Sequence, residues 1–149
     1  GCTVNVRCKT IRLKAPVRVN RIDKIITQPY PGFPTDAQAP FTTLACVAKG
    51  TGVIVENIFE SRFKHIPELV RMGAKIRMEG RVAVIDGVER LYGAEVVSPD
   101  LRGGAALVLA GLCADGVTTV KNTKFIDRGY EDFENNLSML NADVRRKAN

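Results

Sequence analysis

Apolar and polar residues alternate in two short runs at the start of the chain, Thr3-Val4-Asn5-Val6 and Thr10-Ile11-Arg12-Leu13. This period of two predicts a β-hairpin joined through residues 7–9. Val17-Arg18-Val19 with Ile22 predicts another short strand. The pattern then breaks at Pro29-Tyr30-Pro31-Gly32-Phe33-Pro34. Three prolines and a glycine cannot form helix interior or a central strand, so the stretch is a rigid, extended loop ending at Thr35. Thr35 followed by Gln38 reads as a capping box, and a helix is expected over residues 36–49. Its apolar face holds Phe41, Leu44, Ala45 and Ala48, Pro40 lies in its first turn, and Gly50-Thr51-Gly52 ends it. Asp36 sits at the helix start, where the dipole favours a carboxylate.

Val53-Ile54-Val55 follows as a short buried strand, then a polar loop at residues 59–64 with Arg62 in it. Pro67-Glu68-Leu69-Val70-Arg71-Met72 predicts a short helix stopped by Gly73. Lys75-Ile76-Arg77-Met78-Glu79 and Val82-Ala83-Val84-Ile85 predict a hairpin closed by Asp86-Gly87.

The pattern then starts again. Asp100 follows Asp36 by 64 residues, each just after a proline. Ala114-Asp115-Gly116 follows Ala48-Lys49-Gly50 by 66, and Phe125-Ile126-Asp127-Arg128 follows Phe59-Glu60-Ser61-Arg62 by the same 66. Asn141-Ala142-Asp143-Val144 follows Gly73-Ala74-Lys75-Ile76 by 68. Gly73 and Asn141 both tolerate the left-handed conformation of a helix C-cap. The unit is strand, helix, strand, helix, hairpin. Residues 1–28 read as the tail of a preceding repeat, 29–93 as one unit, and 94–149 as a second. That second unit stops at Arg145-Arg146-Lys147-Ala148-Asn149, where its last hairpin should continue. The fold class is α/β (α+β), and the opening Gly1-Cys2-Thr3 reads as if cut from a longer chain.

Composition narrows the function classes. The apolar fraction is 45%, the charged fraction 26%, and no apolar run could span a bilayer. A net charge of +6 suits nucleic acid or a small phosphate-rich substrate. Nine aromatics, no Trp and no recognition motif argue against nucleic acid. Cys2, Cys8, Cys46 and Cys113 form no CxxC pair and have no His at metal spacing, so no metal site or cofactor is expected. Cys46 and Cys113 fall in apolar helical runs and are expected to be buried thiols, which suits a reducing, cytoplasmic setting.

Candidate chemistry follows from the repeat. Arg62, Arg102 and Arg128 occupy related places, and guanidinium groups bind carboxylate and phosphate bidentately, so together they suggest a small polyanion. The alternative is a set of structural ion pairs with Asp36, Asp100 and Asp127. His65, the only histidine, precedes a helix and is expected to cap it or lie at the surface. Gly103-Gly104 lacks Walker or dinucleotide spacing.

Several long motifs resemble the bacterial UDP-N-acetylglucosamine enolpyruvyl transferases (1-carboxyvinyltransferases) of the EPSP synthase superfamily. They are Pro29-Tyr-Pro-Gly-Phe-Pro-Thr-Asp36, Glu60-Ser-Arg62-Phe-Lys-His65-Ile-Pro-Glu68-Leu-Val-Arg71-Met-Gly73-Ala, Asp100-Leu-Arg102, and Phe125-Ile-Asp127-Arg128-Gly-Tyr130-Glu131. The resemblance implies a lobe of the inside-out α/β barrel type, helices packed inside, and the other lobe of the same enzyme as partner. It implies enolpyruvyl transfer from phosphoenolpyruvate to the 3-hydroxyl of UDP-N-acetylglucosamine, the first committed step of peptidoglycan synthesis. On that resemblance Asp36 and Arg128 are catalytic. Asp36 deprotonates the hydroxyl, Ile58 contacts the UDP-sugar, and Arg62 and Arg102 hold the phosphoenolpyruvate carboxylate. Arg128 holds the phosphate and Asp100 belongs to the same site. The family's reactive loop cysteine has no counterpart among the four cysteines here, and Phe125 stands where the family commonly has His. The 149 residues alone are therefore expected to be inactive. The competing readings are a transferase of the 5-enolpyruvylshikimate-3-phosphate type and a non-catalytic anion-binding domain.

Overall fold

The computed structural model describes residues 1–147; Ala148 and Asn149, the end of the basic stretch that closes the second unit, lie outside the described residues. The first hairpin has the expected register: β1 (Thr3–Arg7) runs antiparallel to β2 (Thr10–Lys14), with Val4 opposite Leu13 and Val6 opposite Ile11. Those four side chains share one face and stay exposed.

Residues 17–22 carry only one parallel bridge, Asn20 to Lys49, instead of the expected strand. Arg18 explains the difference. Its guanidinium donates to the carbonyls of Val47, Ala48 and Val88 at 2.9–3.0 Å, tying this segment to a helix C-terminus whose carbonyls lack partners. The strand comes later, as β3 (Lys24–Ile26).

The rigid loop follows, with a cis Tyr30–Pro31 bond. A single 3₁₀ turn (Thr35–Ala37) then leads into α1 (Gln38–Val47). The capping box does not form, because Thr35 turns its hydroxyl to Glu56 and Gln38 is fully buried beside Thr42. After β4 (Thr51–Val55) come α2 (Ile66–Arg71), β5 (Lys75–Glu79) and β6 (Val82–Asp86). They build a four-stranded sheet in the order β3-β4-β6-β5, with β3 parallel to β4 and the other pairs antiparallel. The β5–β6 hairpin turns at Gly80-Arg81, not at Asp86-Gly87. Gly80 has the positive φ of 55° that the turn needs, and the Gly87 amide donates to the Gly50 carbonyl.

The rest of the chain carries β7 (Leu91–Tyr92), β8 (Glu95–Val97), α3 (Leu101–Leu112), β9 (Ala114–Asp115), β10 (Thr119–Lys121), α4 (Lys124–Asp127) and α5 (Phe133–Met139). Strand β7 pairs in parallel with β9, and β8 with β10. The order strand, helix, parallel strand, helix thus occurs as β3-α1-β4-α2 and again as β8-α3-β10-α5. Gly50 and Gly116 have φ of 82° and 92°, and Gly73 and Asn141 have 93° and 64°, so the left-handed positions recur with the elements.

The core sits between sheet and helices. Ile54 of β4 and Ala83 and Ile85 of β6 point inward by strand alternation, and Leu69, Met72, Leu91, Val96 and Leu107 join them, all fully buried. Each such Leu or Ile contributes about 1.5–3 kcal/mol by burial. Helices α1 and α3 pack against each other, and both bury small residues, Ala39, Thr42, Thr43 and Cys46 on one, Ala105, Ala106 and Ala110 on the other. They come close enough for the Thr43 hydroxyl to donate to the Ala106 carbonyl at 3.1 Å.

This close packing corrects the expected core. Phe41 and Leu44, expected on the buried face of α1, are each 37% exposed, and Val53 of the expected buried strand is only partly buried. Cys46 is buried as expected, but Cys113 is exposed at the end of α3. The Gly103-Gly104 pair is a packing feature: a Cβ on Gly104 would lie 2.1 Å from the Ser98 hydroxyl oxygen. His65 is fully buried rather than superficial, and its side chain does not cap α2.

Candidate functional site

The proline-rich loop, the 3₁₀ turn and the segment after β4 enclose an open cleft of about 540 Å³. Gln28, Pro29, Pro34 and Thr35 form one wall, and Ile58, Phe59 and Arg62 another, with Arg102 from the first turn of α3 closing the floor beside Asp36. Fixed φ values make the proline wall stiff, so Asp36 is presented from a backbone with little freedom.

Two guanidinium groups converge on one oxygen of Asp36. Arg62 Nη2 lies 2.7 Å from Asp36 Oδ1, and Arg102 Nε lies 2.5 Å from the same atom. Asp36 itself is well exposed, whereas the Arg62 side chain is 20% exposed and lies 4.6 Å over the Phe59 ring. The Arg62 Nε is buried and has no hydrogen-bond partner among the described residues. Two cations facing one carboxylate leave a net positive charge at the cleft, which is an arrangement suited to an incoming carboxylate or phosphate. The hydrogen bond from Arg102, then the charges of both arginines, hold the Asp36 carboxyl below the usual carboxylate range, so it is ionised at neutral pH. No three described His, Cys, Asp or Glu side chains converge to hold a metal ion.

Residues 1–137 match the family EPSP synthase (3-phosphoshikimate 1-carboxyvinyltransferase). The chain belongs to the EPSP synthase family. Among curated relatives, the UDP-N-acetylglucosamine 1-carboxyvinyltransferase of Synechococcus sp. (strain CC9605) is 50% identical over 98% of this chain and 33% of its own length. The protein of the same name from Myxococcus xanthus (strain DK1622) is 50% identical over 99% of this chain and 35% of its own. The chain thus spans about a third of the length of the curated relatives it matches. Among solved structures, the enolpyruvyl transferase NikO from Streptomyces tendae aligns over 97% of this chain and 34% of its own, with TM-score 0.86 and 30% identity. EPSP synthase from Acinetobacter baumannii aligns over 100% of this chain and 35% of its own at TM-score 0.68 and 19% identity, a likeness of fold. The α/β architecture described above is that of the enolpyruvyl transferases.

In this EPSP synthase family member, Asp36, Ile58, Arg62 and Arg102 meet at the cleft, while Asp100 and Arg128 do not line it. Asp100 is the N-cap of α3 and accepts from the Gly103 amide at 2.7 Å. Arg128 follows α4 and is exposed, because the segment expected as a loop after β10 winds into that short helix. Asp127 pairs with Arg146, whose guanidinium also holds Glu134 of α5. The ion-pair alternative therefore fits Asp36, which holds both Arg62 and Arg102, but not Asp100, which caps α3, nor Asp127, whose partner is Arg146. Capping and site roles of Asp100 separate by mutation. Asp100→Ala is expected to lower stability to urea by about 1 kcal/mol, whereas Asp100→Asn, also a good N-cap, keeps it. Equal losses in both variants would show that the charge matters to the fold.

Two buried polar groups beside the cleft escaped the sequence reading. Glu56, just past β4, is 1% exposed and accepts four hydrogen bonds: Thr27 and Thr35 hydroxyls and the Ile58 and Phe59 amides, at 2.8–3.1 Å. Burial alone would raise its carboxyl, but those donors outweigh it and the net shift is downward. The available signal was a lone charge ending the apolar run Val53-Ile54-Val55. His65 packs behind the Arg62 loop with Gly103 of α3 against it, and neither ring nitrogen is in a well-formed hydrogen bond among the described residues.

Proposed function

We propose that this chain supplies one wall of an active site that transfers enolpyruvyl from phosphoenolpyruvate to the 3-hydroxyl of UDP-N-acetylglucosamine in peptidoglycan synthesis. The observation that carries the reading is the pair of guanidinium groups meeting on Asp36 at the cleft. The names of the relatives support the choice of substrates. In this reading Asp36 takes the proton of the sugar hydroxyl, whose oxygen then bonds to C2 of phosphoenolpyruvate while C3 gains a proton. Loss of phosphate from C2 and of a proton from C3 then restores the C2=C3 double bond, now as the enol ether of the sugar. Arg62 and Arg102 hold the substrate carboxylate and offset its charge. Ile58 lies against the sugar nucleotide, Arg128 holds the phosphate, and Asp100 completes the set.

The same geometry gives the base a trigger. While both arginines hold Asp36, its basicity is low. A substrate carboxylate that takes over their donors frees Asp36 and raises its proton affinity beside the hydroxyl. Residues 29–93 and 94–149 are then two repeats of one lobe, following the tail of another at 1–28, and the remainder of the protein supplies the opposing lobe. A cytoplasmic setting fits four cysteines that are all free thiols.

Phosphate release by the purified full-length protein tests this. Release from phosphoenolpyruvate with UDP-N-acetylglucosamine, and not with shikimate 3-phosphate, is the expected result. Release only with shikimate 3-phosphate would assign the other transferase class, and release with neither would leave an anion-binding domain.

A further inference from the structure

We infer that Glu56 is a positioning residue that sets the two walls of the cleft against each other, an inference that rests on the transferase reading above. Its carboxylate is at the junction of three segments: the end of β3, the 3₁₀ turn and the stretch after β4. Oε2 takes the hydroxyl of Thr35, the residue before Asp36. Oε1 takes the hydroxyl of Thr27 just past β3, and the amides of Ile58 and Phe59, the residues that lead to Arg62. The Thr27 hydroxyl in turn accepts from the Asn57 amide at 2.8 Å, closing a small network. The carboxylate accepts three of its four hydrogen bonds at Oε1 and one at Oε2, from donors on three segments of the chain. A buried charge held only by such donors fixes their mutual geometry, because moving any segment strips a hydrogen bond from a desolvated anion.

The consequence reaches the cleft in two directions. Through Thr35, Glu56 fixes the 3₁₀ turn and so the place of Asp36 on it. Through the Ile58 and Phe59 amides, it fixes the opposite wall, including the ring under Arg62. Glu56 does not itself line the cleft, so it acts through these neighbours. A shift of about 1 Å between the walls is enough to lose much of the advantage of a positioned base.

The test uses the full-length protein with Glu56→Gln, Thr35→Val and Thr35→Ser. Gln keeps the shape and the Oε1 bonds but presents an amide NH₂ to Thr35. Val removes the Thr35 hydroxyl alone, and Ser restores it. Glu56→Gln and Thr35→Val are expected to lower kcat about 10- to 100-fold while KM for phosphoenolpyruvate changes less than about threefold, and Thr35→Ser to recover most of the loss. Crystal structures of the same variants read the displacement without any assay. Asp36 is expected to move about 1 Å or more relative to Arg62 in Glu56→Gln and Thr35→Val, and to stay in place in Thr35→Ser. Unchanged kcat with an active wild type, or an unmoved Asp36, overturns the inference. An inactive wild type with the displacement present counts against the transferase reading and supports the positioning role. Should Glu56→Gln fail to fold, the Thr35 pair still decides.

Discussion

Replacing Asp36 by alanine in the full-length protein is expected to lower phosphate release from phosphoenolpyruvate by about 100- to 10,000-fold, the range of a lost general base. The direction follows from geometry. Asp36 is the one carboxylate lining the cleft, and its second oxygen is not used by either arginine. Asp36→Asn separates charge from shape. It keeps a hydrogen-bonding group at the position but cannot accept a proton, so it is expected to fall as far as alanine. Substrate binding should not follow the loss of turnover in either variant. Removing the carboxylate leaves Arg62 and Arg102 without their internal counter-charge, so phosphoenolpyruvate binding should hold steady or tighten in both. The 149 residues alone are expected at the same floor as Asp36→Ala, since they carry one wall of the site and span about a third of their relatives. Steady-state phosphate release, with a direct binding measurement for phosphoenolpyruvate, checks all three. A kcat for Asp36→Asn within tenfold of wild type would remove Asp36 as the base, and turnover by the short chain would show that one wall suffices.

That Asp36, Arg62 and Arg102 could meet was legible in the sequence because the repeat places an acid at a helix start and an arginine after the next strand. Two copies of that arrangement superimpose their chemistry without any knowledge of distances. What escaped was decided by long-range partners. Thr35 and Gln38 have the spacing of a capping box, in which the Thr35 oxygen would accept from the Gln38 amide, yet the hydroxyl turns instead to donate to a buried carboxylate 21 residues away. Phe41 and Leu44 have the spacing of a buried face, yet α1 meets α3 through Ala, Thr and Cys positions, and that close approach turns the bulky pair outward. Arg128 shares an offset with Arg62, but the segment before it is the short helix Lys124–Asp127 instead of a loop, and it does not line this cleft. Each miss has the same origin: local spacing records what a segment can do, and packing chooses among the options.

The chain is expected to lose stability in mild acid through His65, before its carboxylates protonate. The ring is fully buried with neither nitrogen in a well-formed hydrogen bond among the described residues, and burial pushes its pKa down to about 4, against the opposing pulls of nearby Asp100 and the Arg62 backbone. An unfolded chain has the ordinary histidine value of about 6.5. The folded state therefore binds fewer protons than the unfolded state between these values, so stability rises with pH across the window. His65 costs nothing above about pH 6.5. As pH falls to about 4 its contribution declines by about 3 kcal/mol, at 1.36 kcal/mol for each unit of pKa difference. Glu56 and Asp36 have lowered carboxyls and act in the same direction, but only as pH falls through and below the ordinary carboxylate range near 4. The two contributions thus separate by pH. Urea unfolding at pH 7, 5.5 and 4.5 measures the first, and His65→Leu isolates it, since leucine fills similar space without a proton to gain. The variant should lose less stability than wild type over that interval, by about 2–3 kcal/mol at pH 4.5. The neutral ring leaves two nitrogens in the core without well-formed hydrogen bonds among the described residues, so the substitution should cost little at pH 7. Parallel pH dependences in the two proteins would mean that the ring reaches water, or finds a carboxylate partner, once it takes up a proton.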